Sequence, residues 1–153
     1  MSLINDRLKQ LNIVLPPAPA PAANYVPYVK SNKLIFVSGQ IPILNGKLVT
    51  GKIGKNIKIE DAKTAARLCG LAIVSQLNEA TDLDLDKIKR IVKLGGFVNC
   101  IDEFTQQPEI INGASDLMVE VFGDKGKHSR FAVGTNSLPR NVVVEIEAVA
   151  EIQ

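Results

Sequence analysis

The stretch "HSRFAVGTNSLPRNVVVEIEAVAEI", residues 128–152, predicts two β-strands joined by a tight turn. Side chains alternate between the two faces of a strand, so Arg130 shares a face with Ala132 and Gly134. Phe131 and Val133 point the other way. A long cation beside two very small residues predicts a hole with a positive charge at its rim, which an anion could fill.

The second strand of this stretch has one apolar face and one face that carries Glu145 and Glu147. If both apolar faces meet the helices, Arg130 and the two glutamates emerge together on the opposite face. The inference depends on register, because a slip of one residue would put the glutamates beside Phe131 instead. The three charges can be a binding site or a cross-strand ion pair worth up to about 1 kcal/mol, and the pattern leaves both open.

Earlier segments supply the other elements. We expect a helix over 2–12 followed by an extended arm rich in proline, so that 1–27 lies on a domain that spans 28–153. The predicted strands are 33–43, 47–53 and 86–100, with a turn at Asn45-Gly46; the predicted helices are 60–80 and the segment from Pro108 to Gly123. The order β-β-α-β-α-β-β predicts an α+β fold with one sheet and both helices on one face.

Composition excludes several classes of protein. The chain has 153 residues, a net charge of +2 and 5% aromatic residues, which argues against nucleic-acid binding. We expect a cytoplasmic protein, since we find neither a signal-peptide pattern nor a membrane-spanning apolar run. Cys69 and Cys100 are predicted to be reduced and partly buried, and no cysteine or histidine spacing suggests a metal site.

Two other features have ordinary interpretations. The segment "GKLVTGK", residues 46–52, has the skeleton of a phosphate-binding loop, but Ile53 stands where serine or threonine should bind magnesium. We interpret it as a hairpin. His128 is the only histidine of the chain, and it is either an exposed loop residue or a group near the Arg130 hole.

The motifs at the two ends of the domain resemble those of the RidA (YjgF) family of imine deaminases. The segments that carry the resemblance are "PYV" at 27–29, "SGQIP" at 38–42 and "SRFAVGTNSLPRNVVVEIEAVA" at 129–150. The arginine, the Leu-Pro pair eight residues after it and the "EIEA" strand stand at matched spacing. The longer arm and the segment "GKHSR" are similar to a less characterised branch of that family.

The resemblance implies a chorismate-mutase-like fold and a homotrimer with active sites between subunits. It also implies that Arg130 binds a substrate carboxylate, that Glu145 orients water and that Tyr28 is an active-site residue. Gly39, Asn112 and Ala132 correspond to positions near the ligand. Ala132 departs from the family, where a cysteine occupies this position, so its backbone N–H is left to hold a substrate oxygen.

These expectations give one main hypothesis and two alternatives. The main hypothesis is hydrolysis of reactive 2-imino or enamine acids of the 2-aminoacrylate class to 2-keto acids and ammonia, with no cofactor or metal. A non-enzymatic module that binds a small carboxylate and has a regulatory role is the first alternative. Ribonuclease activity, attached to the family by name, has little support from the near-neutral charge and single histidine.

Overall fold

A computed structural model describes residues 2–153, which form one five-stranded sheet, a small hairpin and three α-helices. The helices are α1 (Leu3–Gln10), α2 (Ile59–Ala80) and α3 (Gln107–Phe122). The strands are β1 (Tyr28–Ser31), β2 (Leu34–Gln40), β3 (Ile43–Leu44), β4 (Lys47–Leu48), β5 (Ile88–Asn99), β6 (Ser129–Thr135) and β7 (Val144–Ile152).

The main sheet has the strand order β1-β2-β7-β5-β6, and β3 pairs only with β4. Strands β5 and β6 are parallel, whereas the other neighbouring pairs are antiparallel. Helices α2 and α3 pack against each other and against one face of the sheet. The mixed sheet covered by two long helices confirms the predicted α+β, chorismate-mutase-like fold.

The helix-facing side of the sheet is apolar because every second residue of its strands is apolar or small. On β7 the residues Val144, Ile146, Ala148 and Ala150 are buried, as their alternation predicted. Small residues on α2 let the helices approach closely: a Cβ added to Gly70 would lie 2.9 Å from Leu117 of α3. The core therefore lies between the sheet and the helix pair.

The predicted closing hairpin is wrong. Strands β6 and β7 are not neighbours, because β5 lies between them and pairs with both. The connection over 136–143 includes Pro139 and the left-handed residues Arg140 and Asn141, and it is long enough to cross one strand. Because β5 lies between β6 and β7, its apolar side chains that face the helices are buried.

The first strands also differ from the prediction. Asn45 and Gly46 both have positive φ angles and close the β3–β4 turn, which confirms that turn. The predicted strand 33–43 is two strands, because β2 ends at Gln40 and Ile43–Leu44 pairs with Lys47–Leu48 instead of with β7. The sequence analysis missed β1, which pairs with β2 along the edge of the sheet.

The N-terminal segment is tied to the rest of the chain by main-chain groups. Ser2 caps α1, and Asp86 accepts hydrogen bonds from the backbone N–H groups of Leu3 and Ile4 at 2.8 and 2.9 Å. These contacts satisfy donors that the first turn of a helix leaves unpaired. The end of α1 leads directly into the proline-rich arm.

Two buried polar side chains of α2 hold the arm. Ser75 Oγ donates to the carbonyl oxygen of Pro16 at 2.7 Å, and Gln76 Nε2 donates to that of Pro19 at 2.7 Å. Both side chains are almost fully buried, so each needs a partner and finds it in the arm. The arm is therefore fixed against α2 by its carbonyl groups.

Other predictions concern cysteines and the membrane. Cys69 and Cys100 are both free and buried, which confirms the prediction for them. Burial raises the pKa of the Cys69 thiol well above its ordinary value. Within residues 2–153, no helix has the length and apolar character needed to cross a membrane.

We expect Gln76→Met to loosen the arm, because the Pro19 carbonyl would lose a hydrogen bond worth about 1 kcal/mol. Cleavage within 13–26 by a broad-specificity protease should become about fivefold faster, as followed by mass spectrometry. Gln10→Met, at an exposed position, serves as the matched control. Equal cleavage of the two variants would show that Gln76 does not hold the arm.

Candidate functional site

The first group of predicted site residues lies where β6 meets α3. Arg130 Nη1 donates to Asn112 Oδ1 at 2.8 Å and to Ser115 Oγ at 3.0 Å. Its Nη2 lies 3.4 Å from the carbonyl oxygen of Pro108. Asn112 and Ser115 lie on successive positions of one face of α3, three residues apart. The structure therefore brings Arg130 and Asn112 together, as expected.

Arg130 keeps part of its donor set available. The guanidinium has five N–H donors, and the contacts described above use both on Nη1 and one on Nη2. Among residues 2–153, its Nε–H and its remaining Nη2–H donate to no partner, and Arg130 forms no ion pair. These two adjacent donors match the two oxygens of a carboxylate.

Ala132 and Gly134 follow Arg130 on the same, helix-facing side of β6. They oppose Gly96 and Val98 of β5 in the parallel register. A Cβ on Gly134 would lie 2.7 Å from Cys100 Sγ, so this end of the row is closely packed. The small side chain of Ala132 is partly buried and packs against the core, and the hole beside Arg130 stays a prediction.

The second group is centred on Glu145 of β7 and Gly39 of β2. A Cβ on Gly39 would lie 3.1 Å from Glu145 Cδ and collide with the carboxylate oxygen, so a larger residue at position 39 would displace this carboxylate. Glu145 is half-buried, and the loss of solvation raises the pKa of its carboxyl above the ordinary value of 4.5. The site holds a carboxylate with increased proton affinity.

Glu145 and Gly39 line two adjoining cavities. One has a volume of about 470 Å³, and its walls are the arm, the end of β2 and the turn before β7. The other has a volume of about 400 Å³ and opens on the side of Phe97, Leu138 and Glu147. Cavities of this size accommodate small organic ligands.

The two groups do not meet within one chain, which corrects the sequence analysis. Arg130 lies opposite Leu94, on the helix-facing side, whereas Glu147 and Phe131 flank Gly95 on the other side. The glutamates lie on the face of Phe131, as they would after a one-residue slip of the predicted hairpin, although β6 and β7 are not paired. The cause is β5, which separates the two strands and sets the register of each.

Glu147 has a local partner of its own. Its Oε1 lies 3.5 Å from Lys93 Nζ, and the same ammonium group lies 5.0 Å from the centre of the Phe131 ring. Both charged side chains are about half exposed, so this pair contributes less than about 1 kcal/mol to stability. The ion pair expected for the glutamates therefore forms with a lysine, not with Arg130.

Tyr28 is not in the cavity with Glu145. It pairs with Val37 across β1 and β2 and packs against the core under the sheet. Tyr25 lines the larger cavity instead, together with Gly39 and Glu145. The sequence signal for the position of Tyr28 was the alternation of side chains along β1. Once β1 is recognised as a strand, this alternation places Tyr28 on the same side as buried Val37.

The sequence analysis also missed Arg140 and Ser115. Arg140 adopts a left-handed conformation with φ of 56° and lines the cavity that contains Glu145. Ser115 contacts Arg130 and also His128, whose ring Nε2 is 2.9 Å from the serine Oγ. His128 is therefore near the Arg130 group, which agrees with the second of the two interpretations given for this residue.

The described part of the chain, residues 2–153, contains no cluster of three or more histidine, cysteine or acidic side chains that could hold a metal ion. The polar groups at the two sites are guanidiniums, carboxylates, amides, hydroxyls and an imidazole. Such groups bind and orient small polar molecules through hydrogen bonds.

The fold and these sites define a chorismate-mutase-like α+β protein that carries an arginine at one edge of its sheet and a half-buried carboxylate at a cavity. The family described as "YjgF/chorismate mutase-like, putative endoribonuclease" matches residues 5–152. This chain belongs to that family, the RidA/YjgF family.

Three curated relatives illustrate the range of names in the family. "Protein TCP17" of Trypanosoma cruzi is 46% identical over 147 residues, which cover 95% of this chain and 91% of that protein. "Putative regulator AldR" of Lactococcus lactis is 32% identical over 89% of this chain and 93% of its own length. A relative of Schizosaccharomyces pombe, "Protein mmf1, mitochondrial", is 30% identical over 84% of this chain and 68% of its own length.

Solved structures share the fold. The protein Atu1372 of Agrobacterium tumefaciens, of unknown function, superposes with a TM-score of 0.90 at 47% identity, covering 98% of this chain and 92% of that chain. TdcF of Escherichia coli, solved with bound serine, gives a TM-score of 0.63 at 25% identity, covering 89% of this chain and 94% of its own.

We expect Glu145→Gln to increase the free energy of unfolding at neutral pH. The folded-state pKa of Glu145 lies above its unfolded-state value, so ionisation of Glu145 destabilises the fold as pH rises through that interval. The gain should shrink below the unfolded-state pKa, where the wild-type side chain is neutral in both states.

Urea unfolding at one protein concentration, at about pH 7 and about pH 4, measures this difference. Glu103→Gln, at an exposed loop position, is the control and should show no such pH-dependent gain. A gain for Glu145→Gln that is the same at both pH values would contradict desolvation as its cause.

Proposed function

We propose that this protein hydrolyses reactive 2-imino acids and their enamine forms, of the 2-aminoacrylate class, to 2-keto acids and ammonia. The observation that carries the proposal is the open donor pair of Arg130, held in place by Asn112 and Ser115. A carboxylate with increased proton affinity at Glu145 supplies the second requirement.

Arg130 binds the carboxylate of the substrate in this proposal. The Nε–H and one Nη2–H donate to the two carboxylate oxygens, which fixes both the position and the orientation of the imine. Asn112 and Ser115 keep the guanidinium from rotating away. The carbon next to the carboxylate is placed beside the small side chain of Ala132, and the backbone N–H of Ala132 is assigned to a substrate oxygen.

Glu145 positions and deprotonates the attacking water. The water oxygen bonds to the imine carbon while Glu145 accepts a water proton and passes it to the imine nitrogen, so the C=N bond becomes the single bond of a carbinolamine. Glu145 then accepts the hydroxyl proton and passes it to the nitrogen as the C–N bond breaks. Ammonia leaves, the C=O bond of the keto acid forms, and Glu145 is again a carboxylate. Partial burial favours this step, because a higher pKa makes Glu145 a stronger base at neutral pH.

The two groups of residues require more than one chain. Arg130 is on the helix-facing side at the β6 edge, whereas Glu145 is on the opposite side next to β2. We propose a homotrimer in which Arg130 of one subunit and Glu145 of the next complete one site. The exposure of Phe36, Phe97 and Val133, at 44%, 37% and 42%, supports the proposal, since this face is apolar enough to be covered by further copies.

Names of relatives support a small-molecule ligand. TdcF was solved with bound serine, a small molecule that carries a carboxylate and an amine on the same carbon. Transferred to this chain as a proposal, the same chemistry fits the donor pair of Arg130. The cytoplasmic location stays a prediction, and one relative is named as mitochondrial.

A second proposal is a binding module that holds a small carboxylate without turnover and has a regulatory role. The absence of a thiol at Ala132 favours it, and one relative is named as a regulator. The two proposals differ in one outcome: the enzyme accelerates keto-acid release from an imine, whereas the module binds a 2-keto acid and leaves the imine hydrolysis rate unchanged.

We expect Arg130→Ala to lose about 2–5 kcal/mol of transition-state stabilisation, a reduction in kcat/KM of at least about 30-fold. The assay follows 2-keto acid release from 2-aminoacrylate generated in situ by a serine- or cysteine-consuming lyase. The spontaneous rate is measured without this protein. Wild type that does not exceed the spontaneous rate would contradict the deaminase proposal.

Mixing two inactive variants tests the shared site. Coexpression of Arg130→Ala with Glu145→Gln should restore about a quarter of the wild-type activity, because a random mixture gives that fraction of sites with both residues intact. The double variant, which carries both changes in one chain, and each single variant expressed alone are the controls. Mixed trimers without activity, from parents that both assemble, would contradict a site that is completed by two subunits.

Tyr25 and Tyr28 make a matched pair for the assignment of the active-site tyrosine. We expect Tyr25→Phe to lower kcat/KM by about three- to tenfold through loss of a hydroxyl at the cavity, and Tyr28→Phe to leave it unchanged. The same keto-acid assay measures both. The reverse result would restore the assignment of Tyr28 made from the sequence.

A further inference from the structure

Hydrogen bonds connect His128 to Ser115 and Ser115 to Arg130. The proposed reaction gives no role to His128. The His128 ring Nδ1 lies 2.6 Å from the carbonyl oxygen of Gly126, and its Nε2 lies 2.9 Å from Ser115 Oγ. Ser115 Oγ is in turn 3.0 Å from Arg130 Nη1. All three side chains are partly buried, so water competes only weakly for these contacts.

The direction of each hydrogen bond in this series follows from the chemistry of its ends. A carbonyl oxygen only accepts hydrogen bonds, so His128 Nδ1 carries a proton and donates a hydrogen bond to the carbonyl oxygen of Gly126. In the neutral ring Nε2 then has a free lone pair. At the other end, a guanidinium only donates, so Ser115 Oγ accepts from Arg130 and its single hydroxyl proton points to His128 Nε2.

The consequence is a hydroxyl whose orientation is set by the histidine. Ser115 presents a lone pair to Arg130 because its proton is held by His128, and the ring is held by the backbone of the turn that follows α3. Removing the ring would let the hydroxyl rotate and lose this orientation. His128 therefore influences the orientation of Arg130 through Ser115, although it does not contact the guanidinium.

We propose that Ser115 and His128 are positioning residues that fix the Arg130 guanidinium so that its open Nε–H and Nη2–H pair meets the substrate carboxylate. This inference rests on the proposed function, because it assigns Arg130 to carboxylate binding. It predicts that loss of either residue weakens carboxylate binding in the ground state and in the transition state alike, which raises KM and leaves kcat nearly unchanged.

The first experiment compares KM and kcat of four variants in the keto-acid assay. Ser115→Ala and His128→Phe should raise KM about three- to tenfold, the effect of one lost hydrogen bond. Ser115→Thr, which keeps a hydroxyl, and His128→Gln, which keeps an acceptor, should recover most of the wild-type KM. Ser129→Ala is the control, because its hydroxyl bonds only to Val92 on the neighbouring strand.

A second experiment uses the fact that His128 is the only histidine of the chain. Its ring nitrogens give a single set of ¹⁵N NMR signals, which should report a proton on Nδ1 in the wild-type protein. Arg130→Ala and addition of pyruvate should both shift the Nε2 signal. In Ser115→Ala, pyruvate should leave it unchanged, because the connection is broken.

The outcomes separate this inference from the proposed function. Wild-type turnover with unchanged KM in folded Ser115→Ala and His128→Phe would overturn the positioning role and leave the deaminase intact. A proton on Nε2 instead of Nδ1 would also overturn it. Wild type that neither accelerates imine hydrolysis nor binds pyruvate would overturn the proposed function, and the positioning role with it.

Discussion

The pairing of β5 with β7 on one side and β6 on the other determines how the rest of the molecule is arranged. This strand has a neighbour along both edges, so its register fixes which residues of β6 and β7 face the helices. Two adjacent glycines, Gly95 and Gly96, lie at its middle and leave space on both faces. A Cβ on Gly96 would collide with Ile111 of α3, and one on Gly95 with Phe131 and Glu147.

This register separates the polar residues of the site. Arg130 joins the face that carries the core, where α3 supplies its partners, and Glu145 joins the opposite face, where Gly39 and the arm form a cavity. The surroundings of Arg130 and Glu145 therefore differ, and they affect the two charged groups differently. The guanidinium is held by neutral oxygens that leave its charge available, whereas the carboxylate lies next to apolar groups that raise its pKa.

Local patterns in the sequence predicted most elements of the fold. The stripe of small residues on α2, the proline and acid that begin α3, and the Asn45-Gly46 turn depend on a few neighbouring residues, and the structure contains all three. The separation of β6 from β7 could not be predicted in this way. Which strands are hydrogen-bonded to each other depends on whether a distant segment, here β5, lies between them. The row of small residues beside Arg130 followed from three alternate positions, whereas the residues that lie close to Arg130 depended on the position of β5.

The candidate site shows the same division. Arg130, Asn112, Glu145 and Gly39 came from motifs and lie in two groups, but Ser115, His128 and Tyr25 entered through tertiary contacts that no local pattern encodes. Tyr25 and Tyr28 are only three residues apart, and a strand boundary between them sends one to a cavity and the other to the core.

The way in which the arm is held has a consequence for how the cavity can change. Ser75 and Gln76 recognise carbonyl oxygens, which every amino acid has, and make no demand on the side chains of the arm. Substitutions at Ala20, Ala22 and Ala23 can therefore reshape the cavity wall while its anchorage stays the same. Such a wall can vary in sequence between related proteins, and a new ligand preference can arise there without loss of the fold.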